Sequence, residues 1–94
     1  MKIEKENNKI IILDPIVTIN DAEKVKNTIK EIAQSHNNIE IEIKNSFAFP
    51  SSIISLLEKL KDSGKNIYIS VHDDILYELF NDLNLTKSFH IRKQ

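Results

Sequence analysis

Ninety-four residues make one domain with room for a single hydrophobic core. Hydrophobic residues at 40% and charged residues at 29% belong to an ordinary folded chain rather than a disordered one, while 13 Lys+Arg against 14 Asp+Glu, a net charge of −1, argue against nucleic-acid binding by counterion release and against a polybasic membrane anchor. The absence of Cys excludes disulfides, thiolate chemistry and Cys-held metals, and a single Gly excludes the glycine-rich phosphate loops of Walker and Rossmann sites.

The start, Met1 to Glu6, is too charged for a signal-peptide core, and the longest apolar run, Ile10 to Leu13, is far shorter than the roughly 18–20 residues that span a bilayer. A cytoplasmic protein with no direct membrane insertion is the expectation. Lys2 to Glu6 alternates weakly. Asn7-Asn8 is a tight-turn signal, and Lys9 to Leu13 is apolar and β-branched, as in a buried strand. Together they predict an N-terminal hairpin. Pro15 ends its second strand or places it near an edge.

Asn20-Asp21-Ala22-Glu23 has the spacing of a capping box and predicts a helix start there, followed by an apolar stripe of Ala22, Val25, Ile29, Ile32 and Ala33. Ile39 to Lys44 alternates without a break, the pattern of a strand with one buried and one wet face. Asn45 to Pro50 is a loop containing Phe47 and Phe49. Ser51 or Ser52 caps a second helix with the stripe Ile53, Leu56, Leu57 and Leu60, widened by Ile54, and Gly64 takes the position after its end. Ile67 to Val71 is a further strand. Asp73 or Asp74 caps a third helix with Ile75, Leu76, Leu79, Phe80 and Leu83 inward, and Asn84 is its left-handed stop. Ser88 to Ile91 is a short last strand or a frayed tail.

The order β-β-α-β-α-β-α, with or without a final strand, predicts an α/β domain: a mixed, mostly parallel sheet of about four or five strands with three or four helices and right-handed crossovers. Parallel sheets are usually covered on both faces, yet Glu40 and Glu42 call for a wet one. Either that strand lies at an edge or the helices gather on one side.

Reaction centres find little support. His36, His72 and His90 are far apart, and none has a His or Cys partner at ligand spacing. His72-Asp73-Asp74 is the densest polar group, but a helix start accounts for it. Asp14 ends a strand, where α/β sheets often place functional groups, and has no second acid nearby. The position where a receiver domain carries its acceptor Asp reads Lys44-Asn45-Ser46, and the glycines of a nucleophile elbow are missing. No enzyme activity, metal or cofactor is expected. Ser51-Ser52 opens a helix, and its ordinary role is capping. A phosphate there meets free N–H groups and the positive end of the helix dipole, while adding about −1.5 to −2 charges to the surface. A serine at this place is suited to control association without unfolding the protein.

With these elements in order, the chain resembles the STAS domain, named for sulfate transporters and anti-sigma factor antagonists. The resemblance covers the hairpin Lys2 to Leu13, the helix Asn20 to Gln34, the strand Ile39 to Ile43, the Phe-x-x-Ser-Ser helix start from Phe47 or Phe49, the strand Ile67 to Val71, and the tail Leu79 to Phe89, with Asn84 where the family has Gly. The family opens its second helix with Asp-Ser-Ser-Gly or Asp-Ser/Thr-x-Gly, whose first Ser or Thr is a phospho-acceptor. The matching stretch here is Pro50-Ser51-Ser52-Ile53, with Pro50 in place of Asp and Ile53 in place of Gly. The resemblance implies a phosphorylation candidate, Ser51, and a partner-binding surface of Phe47, Phe49, Ser51, Ser52 and Ser55. For Phe47 and Phe49 burial in the core is the competing role. It implies a protein–protein interaction module whose partner is a kinase-like anti-sigma factor or, alternatively, the ATPase of an ABC lipid-transport system. A scaffold that kept the shape and lost the switch is the third reading.

Overall fold

The predicted hairpin forms. In the computed structural model, which describes residues 1–94, strands β1 (Ile3–Glu6) and β2 (Lys9–Ile12) pair antiparallel in the register Ile3 to Ile12. The turn between them works because Asn7 adopts φ 55°, a left-handed conformation that Asn tolerates better than most residues. Helix α1 (Ile19–Ala33), strand β3 (Asn38–Ile43), helix α2 (Ser51–Asp62), strand β4 (Asn66–Val71), helix α3 (Asp74–Asp82), a 3₁₀ turn (Leu85–Lys87) and strand β5 (His90–Lys93) follow. The predicted tail is therefore a strand. The five strands lie side by side in chain order, β2 to β5 all parallel.

This order settles the wet-face conflict. Each right-handed crossover advances one strand in the same direction, so all three helices fall on one face of the sheet. Strand β3 is central, not an edge, and its alternation arises because only one face is roofed. Ile10, Ile12, Ile39, Ile41, Ile43, Ile67, Ile69 and Val71 point under the helices and are all at most 2% exposed. The residues between them, among them Lys9, Glu40, Tyr68 and Ser70, form an open plate.

Three helix details depart from the sequence reading. Helix α1 is capped by Thr18, not Asn20. Thr18 Oγ1 accepts from the Asp21 N–H at 3.0 Å, and Asp21 Oδ2 accepts from the N–H groups of Thr18 and Val17, each at 3.1 Å. One carboxylate thus satisfies two backbone donors, whereas Glu23 reaches Lys26 instead, at 2.9 Å. Helix α2 is entered through Pro50, which has no side chain to cap it, so Ser51 and Ser52 are its first two helical residues and neither caps it. Helix α3 buries only Leu76 and Phe80. Ile75, Leu79 and Leu83, expected inward, are exposed, because this short helix lies over the β4–β5 edge of the sheet and meets neighbours along one narrow strip. The predicted stops hold. Gly64 follows α2 at φ 101° and Asn84 follows α3 at φ 59°.

Candidate functional site

The loops leaving the carboxyl ends of β2 and β3 are tied together by Ser46, the one buried polar residue in the chain. Its Oγ donates to the Ala48 carbonyl at 2.7 Å and accepts from the Ile16 N–H at 3.3 Å. A buried hydroxyl needs such partners, and here they lock two loops whose backbone amides have few other acceptors. From Ser46 the chain alternates. Phe47 points out at 65% exposure, while Phe49 turns in at 6%. Phe49 therefore belongs to the core, packed on Phe80, and leaves the expected partner-facing group; Phe47 stays in it.

Pro50 then starts α2. Its carbonyl accepts from the Ile53 and Ile54 N–H groups, which leaves the amides of Ser51 and Ser52 at the free, electropositive end of the helix. No acid occupies the first turn. Ser51, Ser52 and Ser55 are all exposed. Ser51 and Ser55, four residues apart, share one face of the helix. Ser52 and Pro50 look across to Val17, Ile19, Glu23 and Lys26 at the start of α1, enclosing a shallow groove of about 400 Å³. Val17 and Ile19 are 75% and 83% exposed. Ile53, at the position after the serines, is fully buried, so its side chain belongs to the core and not to the surface.

None of the three histidines bonds to a serine. His72 Nε2 lies 3.0 Å from Glu42 Oε2 on the open face of the sheet, His90 stacks on Tyr68 with centroids 4.7 Å apart, and the His36 carbonyl accepts from Lys65. The Ser51 and Ser52 side chains are exposed, and neither is hydrogen-bonded to a histidine. The His72-Asp73-Asp74 group separates. Asp74 pairs with Lys93 at 3.0 Å, and no three His, Asp or Glu side chains converge as a metal site. Asp14 accepts from the Lys2 N–H at 2.6 Å, which gives it a place in the hairpin.

No local pattern in the sequence marks the open plate as a unit. Lys9, Glu42 and His72 form a chain across it, with Lys9 Nζ 3.1 Å from Glu42 Oε1. Partial burial of Glu42 disfavours its charge, but the hydrogen bonds from Lys9 and His72 outweigh that, and its carboxyl sits below the ordinary glutamate range. Tyr68, His90 and Arg92 border a broad cleft of about 480 Å³ on the same face. The signal was the parallel register that sets Tyr68 beside His90, which no local motif encodes. No helix is long and apolar enough to cross a membrane. Comparison with family models, characterised proteins and solved structures finds no match for this chain.

Proposed function

We propose that this protein is a protein–protein interaction and regulatory module of the STAS type, resembling an anti-sigma factor antagonist, that docks through the start of α2 and is switched by phosphorylation of Ser51. The observation that carries this reading is the state of Ser51. It is exposed, at the first position of a helix with no side-chain cap and no acid in its first turn, with exposed Phe47 four residues earlier in the chain and exposed Val17 and Ile19 across a groove from the adjoining Pro50 and Ser52. The apolar trio supplies contact area for a partner, and the serine supplies the control. A phosphate there adds about −1.5 to −2 charges and is welcomed by the free amides and the dipole, so the fold stays intact. A partner that places an acidic or dry contact over the helix start is expelled, and a change of about 3 kcal/mol in binding is more than a hundredfold. The partner that fits is a kinase-like anti-sigma factor acting in the cytoplasm.

Pro50 favours a second reading in one respect. It removes the acid that precedes the acceptor in the family, so the same surface serves equally as the docking face of an accessory subunit on an ABC-transporter ATPase, without a switch. The experiment is a binding assay of the kinase-like anti-sigma factor with wild type, Ser51→Ala and Ser51→Asp, together with phosphate incorporation by that kinase. The switch predicts that Ala binds, Asp does not, and Ala takes up no phosphate. Equal binding by all three removes the switch and leaves the docking module. Equal phosphate incorporation by wild type and Ser51→Ala removes Ser51 as acceptor.

A further inference from the structure

Helix α3 carries a surface that the start of α2 does not share. Ile75, Leu79 and Leu83 recur at intervals of four and so line one edge of the helix, over about 12 Å at 1.5 Å per residue. They are 72%, 39% and 52% exposed. Leu76 and Phe80 are the buried residues of the helix and Tyr77 packs partly against the core, while the outer row lies off the face that meets the sheet. Single apolar residues on a surface are ordinary, but a contiguous row of large aliphatics is a contact surface.

A second row runs beside the first. Asp74, Glu78 and Asp82 have the same spacing, one position earlier, and α3 contains no Lys or Arg. Lys93 pairs with Asp74 at 3.0 Å, while Glu78 and Asp82 take part in no ion pair. The apolar row is therefore flanked on one side by uncompensated negative charge.

We propose that the Ile75–Leu79–Leu83 row is a docking site for an amphipathic helix of a partner protein, one that carries Lys or Arg along the flank facing Glu78 and Asp82. Charge complementarity selects this occupant, and a helix laid on a row spaced by four is a standard mode of recognition. A second copy laid antiparallel, α3 against α3, about a twofold axis sets acid against acid, and a parallel pair leaves the acids without a basic partner, since α3 has no Lys or Arg. An anionic bilayer meets the same repulsion and finds no cation on α3 to hold it.

The test uses the full chain and two synthetic helical peptides with the same Leu seam, one flanked by Lys and Arg, the other by Glu, with affinity read by calorimetry and the site by backbone amide shifts. The expected result is that the basic peptide binds at least about tenfold more tightly than the acidic one and shifts the amides of α3. Leu79→Ser removes that binding, and the double variant Glu78→Lys, Asp82→Lys reverses the preference, an outcome that loss of folding does not imitate. Ser51→Asp leaves it unchanged, which separates this site from the switch. Equal affinity for the two peptides, shifts that fall away from α3, a dimer that Leu79→Ser dissolves, or Leu79-dependent binding to phosphatidylglycerol vesicles each overturns the proposal.

Discussion

Phe49, in the loop before α2, meets Phe80 of α3 edge to face, with ring centroids 5.4 Å apart and planes at 88°. Both rings are buried, and the T-shaped contact contributes about 0.5–1.5 kcal/mol beyond the area they hide. The loop that presents Phe47 and leads to Ser51 is thereby fastened to a different helix from the one it begins. Phe49→Ala is expected to destabilise the fold by about 3–5 kcal/mol in urea denaturation, and Phe49→Leu by far less. Phe47→Ala, two residues away and exposed, is expected to shift stability by no more than about 0.5 kcal/mol while weakening partner binding. A large loss of stability from Phe47→Ala contradicts the division of roles between the two rings.

Ser51→Asp is expected to strengthen the fold while it weakens the complex. Helix α2 has no cap and no first-turn acid, so a carboxylate at its first position interacts with an unopposed dipole end, worth about 0.3–1 kcal/mol. Thermal denaturation at low salt reads the gain, which shrinks as salt screens it. Ser51→Asn, neutral and similar in size, is the control and should show little of it. If Asp lowers the melting temperature, the helix start is less open than its geometry indicates.

The elements with strong periodicity were legible, and so was the architecture. Ile39 to Ile43 alternates because one sheet face is roofed and the other is not, and that wet face is what one-directional right-handed crossovers produce. Hidden from the sequence were the choices that tertiary contact makes between equal local options. Thr18-x-x-Asp21 and Asn20-x-x-Glu23 both have the spacing of a capping box. The first prevails because Asp21 collects the amides of both Val17 and Thr18, and those two bonds hold its carboxyl below the ordinary aspartate range. Periodicity predicts that α3 is a helix but not how many of its sides are covered, so Ile75, Leu79 and Leu83 read as inward although they lie exposed. Within the candidate site, Phe47 and the helix-start residues Ser51, Ser52 and Ser55 are exposed, but nothing in the sequence sets Ser46 apart from any other polar loop residue. Its importance comes from Ile16, distant in the chain and adjacent in space.

Ser46→Ala tests that bridge. The substitution leaves the Ile16 N–H and the Ala48 carbonyl without their partner in a nearly dry site, and an unsatisfied buried polar group costs about 1–3 kcal/mol. The loss should appear in chemical denaturation. Faster hydrogen exchange should appear at the Ile16 amide, which loses its acceptor, and not in the core strands, because the loops loosen before the sheet does. Partner binding should fall as well, since Val17 and Ile19 would no longer be held in register with Pro50 and Ser52. Unchanged exchange in both loops shows that other contacts position them.

Glu42 predicts a specific acid response. Its carboxyl lies below the ordinary value of 4.5 in the folded protein, so its charged hydrogen bonds with Lys9 and His72 stabilise the fold fully above that value. The contribution disappears as the pH falls through the lowered folded value. Because the carboxylate is only partly shielded from solvent, the pair is worth at most about 1 kcal/mol. Glu42→Gln should therefore be slightly less stable than wild type at pH near 7, and the gap should close as the pH falls below the ordinary glutamate value and through the lowered folded one. Asp21 and Glu23 are also held below their ordinary values, Asp21 by the Thr18 and Val17 amides and Glu23 by Lys26. Both remain in either protein, so they make each acid-labile without altering the difference. A gap that persists unchanged to low pH shows that Glu42 acts through packing on the plate rather than through its charge.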